Sequence, residues 1–490
     1  MKTGEEGGDW PRIAILGGGF AGVLMAIRLR KAGIGRFTLF EKSPQLGGTW
    51  HDNRYPGAGC DVPSHLYCYS FAPKADWSRK YASQPEILAY IEDCARQFDI
   101  LPHCRLGCEI VSARWDEEAR IWHLVTATGE TQECDFLISG LGQLNRPYMP
   151  DIPGLADFAG DVFHSARWPG DFDPKGRRIA VIGSGASAIQ IVPEIAKAAA
   201  HLTLFQRSPN WIIPRRDRAY GAHEIWAFRH LPFWRRLYRA YIYWLLESRF
   251  IAFRKDSLLT GLIEWQARRH LRQQIPDAAL RTRLTPDYPA GCKRILISDD
   301  FYPALNAANV RLKTAGIAHI EKDAILTDEG ERIAVDTLVF ATGFRTHDFV
   351  APLEVAGRDG LPLAERWREG AEAHFGMAVD GFPNFLLLYG PNTNLGHNSI
   401  IFMLEQQTGW ALNLIGEMRR RGLRRMEVDA QALKAHNDRV SAELDRLVWS
   451  AGCGSWYKTE SGRIVNNWPG STLAYRRCLR RLRLADFHLD

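Results

Sequence analysis

The stretch RIAILGGGFAG, residues 12–22, opens as a buried-strand pattern and closes on Gly17, Gly19 and Gly22 in the spacing G-x-G-x-x-G. VLMAIRLRKAG then continues as a helix ending at Gly33. RFTLFEK returns as a second strand that ends in an acid, Glu41, 19 residues past Gly22. Together these form a βαβ unit. Glycines at such a turn let backbone approach a pyrophosphate at the helix N-terminus, and the carboxylate accepts hydrogen bonds from a ribose diol.

A second copy follows in RRIAVIGSGASAIQIVPEIAKAAAHLTLFQR, residues 177–207. Its turn runs Gly183, Ser184, Gly185, Ala186, Ser187, Ala188, with Gln190 in the helix behind it, and Gly183, Gly185 and Ala188 take the three small-residue places. Nineteen residues past Ala188 the strand ends in Arg207, followed by Ser208. An acid there would repel a 2′-phosphate, whereas an arginine and a hydroxyl would hold one. The first site therefore suits a dinucleotide with a free ribose, FAD, and the second suits NADPH.

Two further strands, in DFLISGLG (135–142) and DTLVFATGF (336–344), end in small residues that permit close approach and mark where the chain crosses between the units. The expected fold class is α/β, with two discontinuous Rossmann-like dinucleotide-binding domains and a helical insertion. The FAD-binding domain is expected over 1–145 and 345–490, the NADPH-binding domain over 146–214 and 285–344, and the insertion over 215–284.

At 490 residues, 46% hydrophobic and 24% charged, the chain has an ordinary globular composition. Its longest apolar runs fall short of the ~20 residues a bilayer-spanning helix needs. The polar leader before Arg12 lacks the apolar core of a secretory signal, so a cytoplasmic protein is expected. Nine scattered cysteines without a CxxC or Cys/His cluster point to reduced thiols rather than a disulfide frame, and to no metal site.

The net charge of +6 is concentrated: residues 215–283 hold 15 Lys/Arg against 6 Asp/Glu. That stretch interleaves aromatics with arginine at helical intervals. A cap whose aromatic face packs on the protein's own core is the favoured reading, with contact to a membrane surface through 215–283 standing beside it and nucleic-acid binding set aside.

Two dinucleotide sites imply electron flow from NADPH to flavin. A disulfide reductase would carry a cysteine after Gly-Gly-Thr, but LGGTWHDNRYPGAGCDVPS has Trp50 there, so oxygen becomes the leading acceptor.

FAGDVFHSARWP, residues 158–169, then identifies the family that the chain resembles. Phe158, Gly160, His164, Trp168 and Pro169 match F-x-G-x-x-x-H-x-x-x-W-P, and the sequence closely resembles the flavin-dependent Baeyer–Villiger monooxygenases from Arg12 to about Arg477. The resemblance implies that this segment links the two domains, with His164 supporting domain movement. It implies a flavin-side loop containing Gly48, Thr49, Trp50, Asp61 and Tyr67, and a C-terminal cofactor-contacting segment, GSWY, containing Trp456. Asp61 matches the carboxylate beside the flavin, Arg294 the essential arginine, and Lys293 a lysine that joins Arg207 and Ser208 on the 2′-phosphate. Gly59 departs from the arginine that many members carry.

The implied reaction is NADPH- and O2-dependent insertion of one oxygen atom beside a ketone carbonyl, through a C4a-peroxyflavin, to give an ester or lactone. Arg294 would stabilise the anionic species, and Asp61 would orient Arg294. Heteroatom oxygenation at sulfur or nitrogen remains an alternative, as does an NADPH oxidase or membrane-surface redox sensor. In 381–407, a strand, a Gly-Pro loop and an apolar helix are expected, and Asn392, Thr393, Asn394, His397 and Asn398 could serve a polar substrate or simply cap the helix.

Overall fold

The computed structural model describes residues 10–255 and 257–490. Most of the polar leader lies outside the described residues.

Two five-stranded parallel sheets organise the chain. In the first, Ile13–Leu16 is central, flanked on one side by Phe37–Glu41 and Cys104–Leu106 and on the other by Phe136–Ser139 and Phe385–Leu387. The second repeats this plan around Arg178–Ile182, with His201–Phe205 and Val310–Lys313 on one side and Thr337–Phe340 and Asp161–His164 on the other. Each central strand is buried on both faces, which is why both read as continuous apolar runs rather than as alternation. The outer strand Phe385–Leu387 joins the first sheet only after the second is complete, so the first unit is discontinuous, as expected.

Glycine is required where helix and strand meet. A Cβ on Gly22 would lie 1.9 Å from the Gly17 carbonyl oxygen, and one on Gly17, at φ +99°, would lie 2.8 Å from that of Gly140. The small residue ending DFLISG thus packs under the first turn. The second unit repeats the arrangement: Gly183, at φ +106°, sits against the Ala341 carbonyl, and Ala188 is fully buried.

Between strands His201–Phe205 and Val310–Lys313 the chain forms the expected helices, Ala222–His230, Pro232–Ser248, Leu258–Gln274 and Ala278–Arg283. Their aromatics divide. Phe228 turns inward and Tyr238 packs beside it, but Trp226, Phe233, Trp234, Tyr241 and Trp244 face water, so the expectation that the aromatic face packs on the core holds for one side only. Among the described residues, no helix is long and apolar enough to cross a membrane.

Three buried histidines give the fold a pH signature. Burial lowers His65 and His164 to about 4 and His436 to about 3, from an ordinary value near 6.5. The folded state keeps them neutral, while the unfolded chain takes up their protons as pH falls through ~6.5, so stability is present above that pH and lost as pH drops toward 4. Each such shift corresponds to at most about 3–5 kcal/mol. Urea unfolding followed by tryptophan fluorescence should show a midpoint that falls steadily from pH 7 to pH 5. A flat profile across that window would contradict the assignment.

Candidate functional site

A cleft opens over the carboxyl end of the first sheet, where ligands of open parallel sheets bind. Gly17, Gly19, Glu41, Gly48, Thr49, Trp50 and Tyr67, all expected at the flavin, line it. Gly22 does not, because it is packed beneath the turn. The helix Phe20–Lys31 has Gly19 at its N-cap, with no side-chain cap and no acid in its first turn, so its amide donors are open to an anion. Glu41 accepts the Gly18 amide at 2.6 Å on one oxygen and the Ser43 amide at 2.8 Å on the other. Each oxygen retains a lone pair for a ribose hydroxyl. The Trp50 indole donates to the Tyr67 hydroxyl at 3.2 Å, fixing two aromatic walls. A side-chain-free cradle, an open helix N-terminus and a carboxylate with spare acceptors fit FAD.

The second glycine turn is built alike. The helix Ala186–Ile195 also starts at a glycine, Gly185, without a side-chain cap, and a Cβ on Gly185 would meet nothing within 4 Å. Beside it the Lys293 ammonium donates to the Ser208 hydroxyl at 2.8 Å and lies over the Tyr288 ring. Burial, and then the Arg207 charge, lower the Lys293 pKa, which places two cations and a hydroxyl at one spot. Arg207 itself is exposed. This donor set fits a 2′-phosphate, and hence NADP.

Asp61 and Arg294 meet where the two units face each other. Both Nε and Nη2 of Arg294 donate to one Asp61 oxygen, at 3.1 and 2.5 Å. Arg294 is held by the chain just before strand Leu296–Ile297, which pairs with Ile212–Ile213 shortly after Arg207. Burial alone would raise Asp61, but the charge and hydrogen bonds of Arg294 outweigh it and leave the carboxyl below its usual range. Arg294 is held firmly protonated, first by the Asp61 charge. Tyr389, which lines the cleft, lies close enough to Arg294 for the guanidinium to bear on its hydroxyl.

More bonds cross at the same place. Gln190 accepts from the Tyr55 hydroxyl at 3.0 Å and donates to the Gly59 carbonyl at 3.0 Å. Arg215, which the sequence did not single out, donates to the Cys60 carbonyl at 3.1 Å and adds a second positive charge near Asp61. A Cβ on Gly59 would come within 3.3 Å of that guanidinium, so Arg215 fills the space beside Gly59.

The segment 158–169 forms the edge of the second sheet through strand Asp161–His164. A Cβ on Gly160 would lie 2.2 Å from the Asp336 carbonyl oxygen, and Trp168 packs edge-to-face on Phe163 and Phe172. Phe158 is buried in the neighbouring core, and the Pro169 carbonyl caps Phe172. His164 is buried, and its Nδ1 accepts the Ala166 amide at 3.1 Å. Burial lowers its pKa and favours the neutral ring.

The cysteine expectation is corrected. Cys292 and Cys453 form a disulfide, with Cα atoms 6.3 Å apart across 161 residues of sequence. It ties the stretch carrying Lys293 and Arg294 to the GSWY segment, whose Trp456 carbonyl also accepts from Thr346 and His347 at 3.1 and 3.0 Å. Spacing alone cannot reveal a pair made by tertiary folding. Cys60 and Cys68 remain free and buried.

The polar loop before helix Ile400–Arg421 is committed to structure. Asn392 donates to the Ile464 and Asn467 carbonyls, Asn394 to the Asn467 side chain, and Asn398 to Glu247, while Thr393 bonds its own loop. His397 lies 3.5 Å from Glu247. The cleft also has walls with no local motif: Gln143, Tyr389, Ile400 and Leu404. Of these, Gln143 follows a small-residue strand end, and the other three lie within the stretch 381–407.

Residues 11–353 match the flavin-binding monooxygenase-like family. The chain is 44% identical over 480 residues to a Baeyer–Villiger monooxygenase of Pseudomonas aeruginosa, covering 98% of this chain and 91% of that protein. It is 42% identical over 491 residues to a Baeyer–Villiger monooxygenase of Streptomyces coelicolor, covering 100% and 94%. The crystal structure of OTEMO in complex with FAD and NADP matches it with a TM-score of 0.88 at 27% identity, over 98% of this chain and 99% of that one.

Proposed function

The chain belongs to the Baeyer–Villiger monooxygenases of the flavin-binding monooxygenase-like family, and from that membership we propose which of its residues carry the reaction. It is an FAD-containing, NADPH- and O2-dependent monooxygenase that converts a ketone to an ester or lactone. Bound FAD supplies the redox centre that accepts a hydride from NADPH and activates oxygen.

The chain's own residues bind, orient and stabilise. Gly17, Gly19 and Glu41 hold the FAD pyrophosphate and ribose, with Gly48, Thr49, Trp50 and Tyr67 walling the cleft. Gly183 to Ala188 and Gln190 receive the NADP pyrophosphate, and Arg207, Ser208 and Lys293 its 2′-phosphate. Trp456 contacts the cofactor from the C-terminal segment. Arg294 places a charge that cannot be lost where negative charge develops on the substrate's carbonyl oxygen. Asp61 fixes that guanidinium by accepting two of its N–H groups. What carries this assignment is the Asp61–Arg294 pair, set between the two glycine turns and beside a wall of the cleft. We place the FAD-binding domain at 1–145 and 345–490, the NADPH-binding domain at 146–214 and 285–344, and the insertion at 215–284.

The purified protein, given NADPH and a panel of ketones under 18O2, should release esters or lactones that carry one labelled oxygen. NADPH oxidation that yields only hydrogen peroxide across the panel would count against the ketone reading.

Cofactor choice gives a separate test. Arg207→Ala is expected to raise KM for NADPH by about 10- to 100-fold while leaving KM for NADH nearly unchanged, because one charge-assisted contact to phosphate is lost. An equal change for both cofactors would remove Arg207 from the 2′-phosphate site.

A further inference from the structure

We propose that the outward face of the helical insertion docks on an anionic lipid surface.

Thirteen of the nineteen large apolar side chains that stand exposed among the described residues fall within 226–265. They are not scattered. Helix Pro232–Ser248 carries two apolar faces: Tyr238, Ile242 and Leu246 turn inward onto Leu66, while Phe233, Leu237, Tyr241, Trp244 and Leu245 occupy a water-facing arc of about 120°. Phe233 is 71% exposed. The next long helix, Leu258–Gln274, repeats the device with Leu258, Leu262 and Trp265 at i, i+4 and i+7, Leu258 being 93% exposed. Isolated exposed apolar residues need no explanation, but rows of them on successive helices mark an interaction surface.

The charge names the partner. Residues 226–272 hold ten Lys/Arg against three Asp/Glu. Two of those acids are engaged inside the protein: Glu247 with Asn398 and Thr472, and Glu264 with the Ala290 amide. Arg269 lies over the exposed Trp265 ring at 5.4 Å, pairing a cation with an aromatic at the surface itself. A second copy of the chain is a poor occupant, since a two-fold contact sets a face against itself and would oppose two surfaces each carrying a balance of +7. An anionic bilayer satisfies both features, with headgroups meeting the arginines and the acyl boundary receiving the aromatic and leucine rows. Helix Pro232–Ser248 is 17 residues long and lacks the apolar length to cross, so it lies in the interface plane.

The inner side of this face is braced on the site. Arg239 donates to the His65 carbonyl at 2.7 Å and the Cys68 carbonyl at 3.1 Å, on the segment that follows Asp61. Docking therefore needs no refolding of the insertion and does not depend on which substrate the cleft takes.

The test is co-sedimentation of the FAD-loaded protein with vesicles of phosphatidylcholine alone or with about 30% phosphatidylglycerol, at about 0.05 and 0.5 M salt. The protein is expected to pellet with the anionic vesicles at low salt, with a blue-shifted tryptophan emission, and to bind at least about tenfold less to phosphatidylcholine or at high salt. Phe233→Ser/Trp244→Ser should lower binding at least about tenfold with flavin content, melting temperature and turnover in solution unchanged, and Arg236→Glu should weaken it further at low salt. Failure of the wild-type protein to pellet with either vesicle would overturn the proposal, as would equal binding by the variants. A dimer that the double substitution dissolves, with no vesicle binding, would assign the face to a second copy instead.

Discussion

Replacing Arg294 by alanine should leave FAD retention and NADPH-driven bleaching of the flavin close to the wild-type level while ester formation falls by about 10²–10³-fold, the usual cost of removing one preorganised donor to a developing oxyanion. The geometry separates the two outcomes. Arg294 lines neither glycine turn, and its guanidinium is spent on Asp61 and on the space beside Tyr389. Without it, Asp61 loses the charge that holds it ionised against burial, and its pKa rises. Arg294→Lys should not rescue, because an ammonium cannot present the two N–H groups that reach one Asp61 oxygen while directing the remainder elsewhere. Product chromatography together with a peroxide assay reads the result: NADPH consumption should continue, with hydrogen peroxide replacing ester. Normal ester yield from Arg294→Ala would remove the residue from the reaction.

The second large effect is structural in cause and visible by eye. Gly22→Val should be purified colourless, without FAD, because its Cβ would fall 1.9 Å from a backbone oxygen of the very turn that receives the pyrophosphate. A carbonyl cannot swing aside as a flexible side chain can, so the turn must move, and overpacking of this kind costs about 1–3 kcal/mol before any loss of ligand contacts. Gly35→Ala is the matched control: a Cβ there meets nothing within 4 Å, its backbone is not left-handed, and flavin content should not change. Absorbance at the flavin band per mole of protein decides the matter, and a yellow Gly22→Val would show that the helix can be pushed away from the strand at no cost to the cradle.

The parts legible in sequence are those written locally. Two βαβ units announce themselves because strand, glycine turn, helix and terminal charge lie within about 30 residues of one another, and the parallel sheets follow from that order. The union of Lys293 with Ser208 is different: 85 residues separate them, and family resemblance rather than any pattern in the chain pointed to it. Gln143 and Tyr389 reach the cleft only because two distant strand ends lie side by side in the first sheet. The Cys292–Cys453 bond escaped for the same reason, and Arg215 was hidden in a run of like residues. Periodicity placed the helices of the insertion correctly yet misjudged which aromatics they bury, since a helix that is apolar on two faces carries no mark of which one meets the core.

The bonds made by Asp61 with Arg294, Gln190 with Gly59 and Arg215 with Cys60 all join the chain that follows the first glycine turn to the chain that surrounds the second. A ligand at either turn that favours the arrangement in which these bonds are made thereby favours the other turn's ligand too. Thermodynamic reciprocity then fixes the size of the effect: whatever factor bound flavin contributes to the affinity for the nicotinamide dinucleotide, the nicotinamide dinucleotide returns to the flavin.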